Sequence, residues 1–433
     1  MYNRKFPHKI PALERFLALV LTVVEVVQTP DGRIAASGAI VLAAAAALTG
    51  CGTPTTAAQQ GRSTSTSDQV SSARVVTHHS SKAVGRVAET TLEREMKENR
   101  IRTVTMLTAN AGWAYSREHV WALSDAGALW DPIWHHPVTI LAFFAPSATD
   151  AWAVTARAGA RRCEIWHTSN GGRTWGSSSV AAPWQILEAS LAVTGDGQGH
   201  LLLSGDPAPM TAPQMLVNIK NGRVQTRPSF RTKSGGLNEI VFPTPRDGVA
   251  VNQAVAGAQN ITAPLFRTTN GGATWQPIIL PAPPHVAASA SDKGGTTYVV
   301  EDPVNFVTQS TGYVALVNPI AMLYRTTNAG ASWSPIHTPP ATTGYGISTS
   351  WLTPEKGWVL AGAKGPSVLW GTTNGGQTWT RLSGANFISV PQFSSARDGW
   401  AFVVPVHANA YGGAETFVRT TNGGRTWTPV KIH

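Results

Sequence analysis

The sequence predicts an all-β fold, a seven-bladed propeller of four-stranded antiparallel blades spanning residues 101–433. Three observations carry that expectation. One short phrase recurs at near-even spacing, a second marker precedes each copy, and the composition suits many short strands joined by turns.

The phrase reads IWHTSNGGRTW from 165, LFRTTNGGATW from 265, LYRTTNAGASW from 323, LWGTTNGGQTW from 369 and FVRTTNGGRTW from 417. A gapless weaker copy, WALSDAGALW, starts at 121, and only Asn221-Gly222 survives of another in LVNIKNGRVQ from 216. The marker positions Asp125, Asn170, Asn221, Asn270, Asn328, Asn374 and Asn422 recur every 45 to 58 residues. That is the length of one four-stranded blade, so seven markers predict seven blades.

Each residue type in the phrase has a folding role. Asn-Gly between two strand-like runs signals a hairpin, because both residues tolerate positive φ and the Asn side chain bonds nearby backbone N–H groups. The Trp five residues on, at Trp130, Trp175, Trp275, Trp333, Trp379 and Trp427, opens the next strand, where its ring can fill the wedge between blades. The second marker, as in NAGWAYS from 110, TDAWAVT from 149, KGWVLAG from 356 and RDGWAFV from 397, reads as a tight turn followed by an alternating strand. A blade is then a first strand such as Phe387 to Phe393, a turn, a second strand, a variable loop, a third strand, the Asn-Gly hairpin and a fourth strand. All four strands fall within one sequence unit, which is compatible with direct packing of blade one on blade seven; the alternative is a one-strand exchange between the ends.

The phrase resembles the Asp-box (BNR) repeat, S-x-D-x-G-x-x-W, of sialidases and sortilin-type ectodomains. Joined to the second marker it is more similar to the propellers of photosystem II assembly and stability factors and their bacterial relatives. The match covers about residues 101–433, with Asn in place of the family's Asp in five of six clear boxes. The resemblance implies the propeller fold and, from its nearer relatives, help in assembling membrane complexes; the fold itself hosts unrelated activities.

Upstream, residues 34–50, IAASGAIVLAAAAALTG, form an apolar run after Arg33 and before Cys51, the pattern of an export signal. Leu48-Thr49-Gly50-Cys51 resembles the lipobox of bacterial lipoproteins, which implies a lipidated Cys51 at the mature N-terminus. A retained membrane anchor is the alternative, but this Ala-rich run is short for spanning. Residues 1–33, including the apolar stretch Phe16 to Val27, are an extension longer than the usual charged leader, as a start codon assigned too early would leave. Residues 51–88 are Ser- and Thr-rich and poor in large apolar side chains, which predicts a flexible tether. Thr90 and Glu93 form a capping box that predicts a short helix over 89–100.

The chain of 433 residues holds 41 Gly, 29 Pro and two cysteines, Cys51 and Cys163. With Cys51 lipidated, no internal disulfide, cysteine metal site or redox pair can be assembled. The formal charge is +10, most of it beyond residue 50. A basic surface outside the cell favours anionic partners: an acidic membrane protein, a phosphate-bearing envelope polymer or acidic headgroups. The sequence carries no nucleic-acid-binding module, and the export signal argues against such a partner.

Propeller ligands usually meet the loops that join strand two to strand three and one blade to the next. On that face the sequence places Arg117, Glu118 and His119, then Trp134, His135 and His136, then Arg157, Arg161 and Arg162, with Lys364 from blade six and His407 and Tyr411 from blade seven. Together they make a candidate basic, aromatic-rimmed binding face. The competing account is a set of solvated loop residues. Catalysis has weaker support. Sialidase-type hydrolysis needs an arginine cluster, a Tyr–Glu pair and an acid Asp, and ordinary glycosidases need two carboxylates flanking the bond. Carboxylates on this face are sparse (Glu118, Asp206, Asp292, Glu301, Asp302), and the sialidase Arg-Ile-Pro signature has no copy. The adjacent histidines His135 and His136 point to opposite faces of a strand and have no third ligand at fixed spacing, so neither a metal nor a cofactor is expected. The chain therefore reads as a monomeric, non-enzymatic binding or scaffold lipoprotein on the outer side of the cytoplasmic membrane, possessing no catalytic residues. The alternative is a secreted glycan-binding or glycan-hydrolysing propeller.

Overall fold

The computed structural model describes residues 75–77, 92, 94–96, 101–194, 197–205, 213–220, 223–226, 236–253, 264–281, 299–317, 321–340, 346–362, 367–385, 387, 390–404 and 415–433. The chain divides into two compact units, Met1–Gly38 and Ala39–His433, and every described residue belongs to the second.

That unit is a seven-bladed propeller of antiparallel sheets, each built on four strands consecutive in sequence, with Val75–Thr77 added at the outer edge of the second. Blade one comprises Thr103–Met106, Gly112–Tyr115, His119–Ser124 and Leu129–His135. Blade two comprises Ile140–Phe144, Ala151–Thr155, Arg162–Thr168 and Thr174–Ala181, and blade three Glu188–Val193, Gly199–Ser204, Gln214–Lys220 and Arg223–Thr226. Blade four holds Gly236–Val241, Gly248–Gln253, Leu265–Thr268 and Gln276–Ile278, and blade five Val299–Phe306, Gly312–Val317, Ala321–Thr326 and Ser334–Ile336. Ile347–Trp351, Gly357–Ala361, Ser367–Thr372 and Thr380–Ala385 make blade six; Gln392–Phe393, Gly399–Val403, Thr416–Thr420 and Thr428–Pro429 make blade seven. Blade seven's first strand is shorter than the run from Phe387 predicted, although Phe387 still bridges Val403.

The repeated turn is a closed hydrogen-bond unit. In blade two, Asn170 Oδ1 accepts from the Thr168 hydroxyl at 3.0 Å and from the Thr174 N–H at 3.0 Å, while Asn170 Nδ2 donates to Thr174 Oγ1 at 2.8 Å. Thr168 Oγ1 also accepts from the Gly172 N–H at 2.9 Å. The same bonds recur around Asn270, Asn328, Asn374 and Asn422. Asn thus serves as acceptor and donor together, which is why it replaces Asp without loss of the turn. The second glycine has φ of +81° at Gly172 and Gly272 and +80° at Gly330 and lies against the preceding blade, so the position needs both a left-handed backbone and no Cβ. Asn221-Gly222 lies outside the described residues.

The other marker combines two devices. A Thr or Ser hydroxyl, at 108, 147, 244, 308, 353 and 395, accepts the backbone N–H three residues on and tightens the turn. In blades four to seven the following glycine opens the second strand beneath an aromatic ring at the end of the first. A Cβ on Gly399 would stand 2.6 Å from Phe393 and one on Gly248 2.7 Å from Phe242. The next residue then reaches across to a neighbouring blade: Trp358 Nε1 donates to Gly423 O at 3.1 Å, Trp113 Nε1 to Ser147 O at 2.9 Å and Trp400 Nε1 to Ala126 O at 2.8 Å.

The Trp400 bond closes the ring. Blade seven meets blade one with no exchange of strands; Phe417 packs edge-on against Trp130 at 5.6 Å, within a cluster that includes Trp121, Leu123 and Leu92. His433 N–H donates to Ala128 O at 2.8 Å across the same seam. Leu92 and residues 94–96 are helical, and Leu92 is buried in the seam; Thr90 and Glu93 lie outside the described residues.

The box tryptophans divide into two sets. Trp130, Trp175 and Trp333 are buried, whereas Trp275, Trp379 and Trp427 are only half-buried. Trp175 is covered by Trp134 from blade one, with ring centroids 5.0 Å apart. Trp427 and Trp379 instead direct their Nε1 to Ser383 Oγ and His337 O at the outer strands of the preceding blades.

Candidate functional site

The Asn-Gly hairpins and the strand-one to strand-two turns share one end of the propeller, joined by backbone bonds such as Gly171 N–H to Thr149 O and Gly423 N–H to Arg397 O, both at 2.9 Å. Salt bridges reinforce the same end: Arg267–Asp247 at 3.1 Å, Arg419–Asp398 at 2.9 Å and His167–Asp150 at 2.9 Å. A cavity of about 40 Å³ opens at this end of the first strands, bordered by Met106, Asn305, Trp351 and Gln392, with room for a few waters.

The candidate residues gather at the opposite end. Blade one's loop carries Arg117 and Glu118, and its carbonyls receive the next connection: His136 N–H donates to Glu118 O at 2.8 Å and Ile140 N–H to Arg117 O at 2.6 Å. Blade two repeats the scheme, with Ala182 N–H on Arg161 O at 2.7 Å and Ile186 N–H on Ala160 O at 2.8 Å. Arg157, Arg161 and Arg162 are exposed, and Arg162 reaches Ser179 Oγ at 2.7 Å. The loops of both blades therefore form one belt, with Arg102 joining it through a bond to Ile140 O at 3.3 Å.

The histidines on this belt have distinct surroundings. His119 lies between His135, at a ring distance of 4.6 Å, and Trp121, at 5.5 Å. Its Nδ1 stands 3.5 Å from Glu95 Oε1 of the short helix, a carboxylate only 6% exposed. His136 turns the other way and packs on Trp134 and Trp166, each at 5.2 Å. Among the described residues no group of three His, Cys, Asp or Glu side chains is placed to hold a metal ion.

Trp134 departs from the expected aromatic rim. It is 3% exposed and lies in the cluster between blades one and two, against Trp166 and Trp175. A bulge opposite Val120 and Trp121 inserts Ile133 and turns the strand over, so that Trp130 faces blade seven while Trp134 faces blade two. Asp302 also departs from its expected place in a loop. It lies within a first strand of blade five, where Oδ2 accepts from Thr349 N–H at 2.7 Å and Thr349 Oγ1 at 2.8 Å, joining blades five and six. Beside it, burial and then the Asp302 charge push the Glu239 carboxyl up to about 8. Burial holds the Cys163 thiol up at about 12, which makes it an unreactive core side chain. Cys51, Lys364, His407 and Tyr411 lie outside the described residues.

No protein-family model matches the sequence, and no curated protein matches it. Solved structures do. YCF48 bound to D1 peptide is 16% identical, with a TM-score of 0.44 over 68% of this chain and 83% of that one. YCF48 from Cyanidioschyzon merolae is 13% identical, with a TM-score of 0.40 over 65% of this chain and 80% of that one. An oligogalacturonate lyase in complex with manganese is 9% identical, with a TM-score of 0.51 over 72% of this chain and 85% of that one. The class defined is the β-propeller. These neighbours include a protein bound to a peptide and a lyase, and at such identities the likeness shows the fold alone.

Proposed function

We propose that the protein is an extracytoplasmic binding or scaffold module, tethered to the outer side of the cytoplasmic membrane through a lipidated Cys51, that holds an anionic partner on its loop face. The observation that carries this reading is the belt across blades one and two, where Arg117, Arg157, Arg161 and Arg162 stand with His119 and His135 at one end of the ring. Arg157, Arg161 and Arg162 are exposed, and such guanidinium groups are suited to bidentate recognition of carboxylate or phosphate. An acidic membrane-protein partner, whose assembly the module would assist, fits both that chemistry and the tether.

Capture from detergent-solubilised membranes tests this, comparing the full chain with an Arg157→Ala, Arg161→Ala, Arg162→Ala variant. The expected result is one defined membrane-protein complex, lost from the variant and weakened by salt, because exposed charges are screened over about 8 Å at physiological ionic strength. Equal capture by both chains refutes the face, and hydrolysis of a glycan panel refutes the non-enzymatic reading. Mass spectrometry of the mature N-terminus checks the anchor: an unmodified Cys51 removes it.

A further inference from the structure

Beyond its own four strands, blade two carries a fifth, Val75–Thr77, contributed by the tether. It pairs antiparallel with the outer strand, Val75 opposite Gly176 and Thr77 opposite Thr174. That outer strand leaves the Asn-Gly hairpin at Thr174 and ends at Ala181, on the loop face. The antiparallel register therefore sets the direction of the tether, which joins blade two from the loop-face side at Val75 and runs toward the hairpin end. The roughly 23 residues between Cys51 and Val75 have a root-mean-square reach of about 25 to 30 Å, counted from Val75 opposite Gly176 near the hairpin end of the strand.

The surface at the end from which the tether arrives is amphipathic. Arg157, Arg161 and Arg162 are exposed there, and the backbone bonds from Ala182 and Ile186 set the connection to blade three beside them. That connection presents Pro183 and Leu187, the latter 40% exposed. The exposed acids nearby are Glu164 and Glu188. Arginines flanked by exposed apolar side chains suit a layer where phosphate groups lie above hydrocarbon.

We propose that the loop face of blade two docks on an anionic lipid surface, its arginines meeting headgroup phosphates and Leu187 the apolar boundary. This rests on the tethered reading above and names the lipid surface as a partner of the same face. The test uses the full chain carrying Cys51→Ser, so that no lipid contributes, in sedimentation with phosphatidylcholine vesicles with and without phosphatidylglycerol. Binding is expected only to the anionic vesicles, with a loss of about a hundredfold or more in an Arg157→Glu, Arg161→Glu, Arg162→Glu variant. A Leu187→Ser variant, which leaves the charges in place, is expected to bind several-fold more weakly. Equal binding to both vesicles, or undiminished binding by the arginine variant, overturns the proposal. Arginine-dependent capture of a membrane protein alongside charge-indifferent vesicle binding leaves the proposed function standing and removes the lipid surface alone.

Discussion

Blade five allows the repeated turn to be tested at two adjacent positions, because its box reads Asn328-Ala329-Gly330 where most others read Asn-Gly-Gly. Gly330 has φ of +80°, and a Cβ added there would stand 2.5 Å from Val249 Cγ2 of blade four. An alanine in the left-handed region costs about 1 to 2 kcal/mol, of which the stiffer unfolded chain returns about 0.4 to 1 kcal/mol when φ alone is considered. Forcing a methyl into Val249 adds about 1 to 3 kcal/mol of overpacking. Gly330→Ala is therefore expected to destabilise by about 2 to 4 kcal/mol. Ala329 already has φ of +55°. Ala329→Gly relieves the same strain and returns the same entropy, for a change of about 0 to 1 kcal/mol in the stabilising direction. Urea unfolding followed by tryptophan fluorescence measures both through the shift in midpoint. If Gly330→Ala falls within about 0.5 kcal/mol of the unaltered chain, or if the two substitutions change stability by the same amount and sign, the requirement for contact with the preceding blade is refuted.

Other outcomes follow from the packing and the charges. Trp175→Ala, at a fully buried ring, is expected to cost about 3 to 5 kcal/mol, and Trp427→Ala, at a half-buried one, measurably less; thermal melts of the two variants rank them. Trp134→Ala is expected to unfold the chain as readily as Trp175→Ala, since the two rings cover each other; a variant of normal stability with weakened partner binding would restore Trp134 to the binding surface. Glu239 holds its proton up to about pH 8 when folded against an ordinary value of 4.5, so its contribution is complete below about pH 4.5 and is lost as pH rises through 8. Glu239→Gln should flatten that part of the stability profile and gain on the unaltered chain between pH 5 and 9, and a difference that stays constant with pH would sink the assignment.

The sequence made the blades legible because their chemistry is local. Asn, Thr and two glycines close a turn among themselves, so their spacing counts the blades without reference to distant contacts. Trp134 reads from the sequence as part of the connection to blade two, but the fourth strand runs on to His135 and a bulge at Ile133 turns the ring into the gap between blades, neither of which marks the sequence. Val75–Thr77 could not be read because two valines in a polar tract form a strand only when an outer edge is offered to them. Asp302 looked like a loop carboxylate until its partner Thr349, 47 residues away, was seen on the adjoining blade. Likewise, the half-buried state of Trp275, Trp379 and Trp427 depends on what the preceding blade offers as cover, and the phrase itself carries no record of its neighbour.

The seam between blade seven and blade one is held by side chains and two cross-blade hydrogen bonds, from Trp400 Nε1 to Ala126 O and from His433 N to Ala128 O. Trp113 and Trp358 make similar reaches across the joints to blades two and seven. The break between the last and first strands of the ring is thus a joint of the same kind, with Leu92 packed into it. Moving that break to another gap between blades would keep the four strands of each blade together, so a permuted gene that retains Leu92 and Val75–Thr77 should yield the same ring. Duplication or loss of a complete unit would likewise disturb only the angle each wedge must fill, a route by which such chains can change blade number without ever passing through a broken sheet.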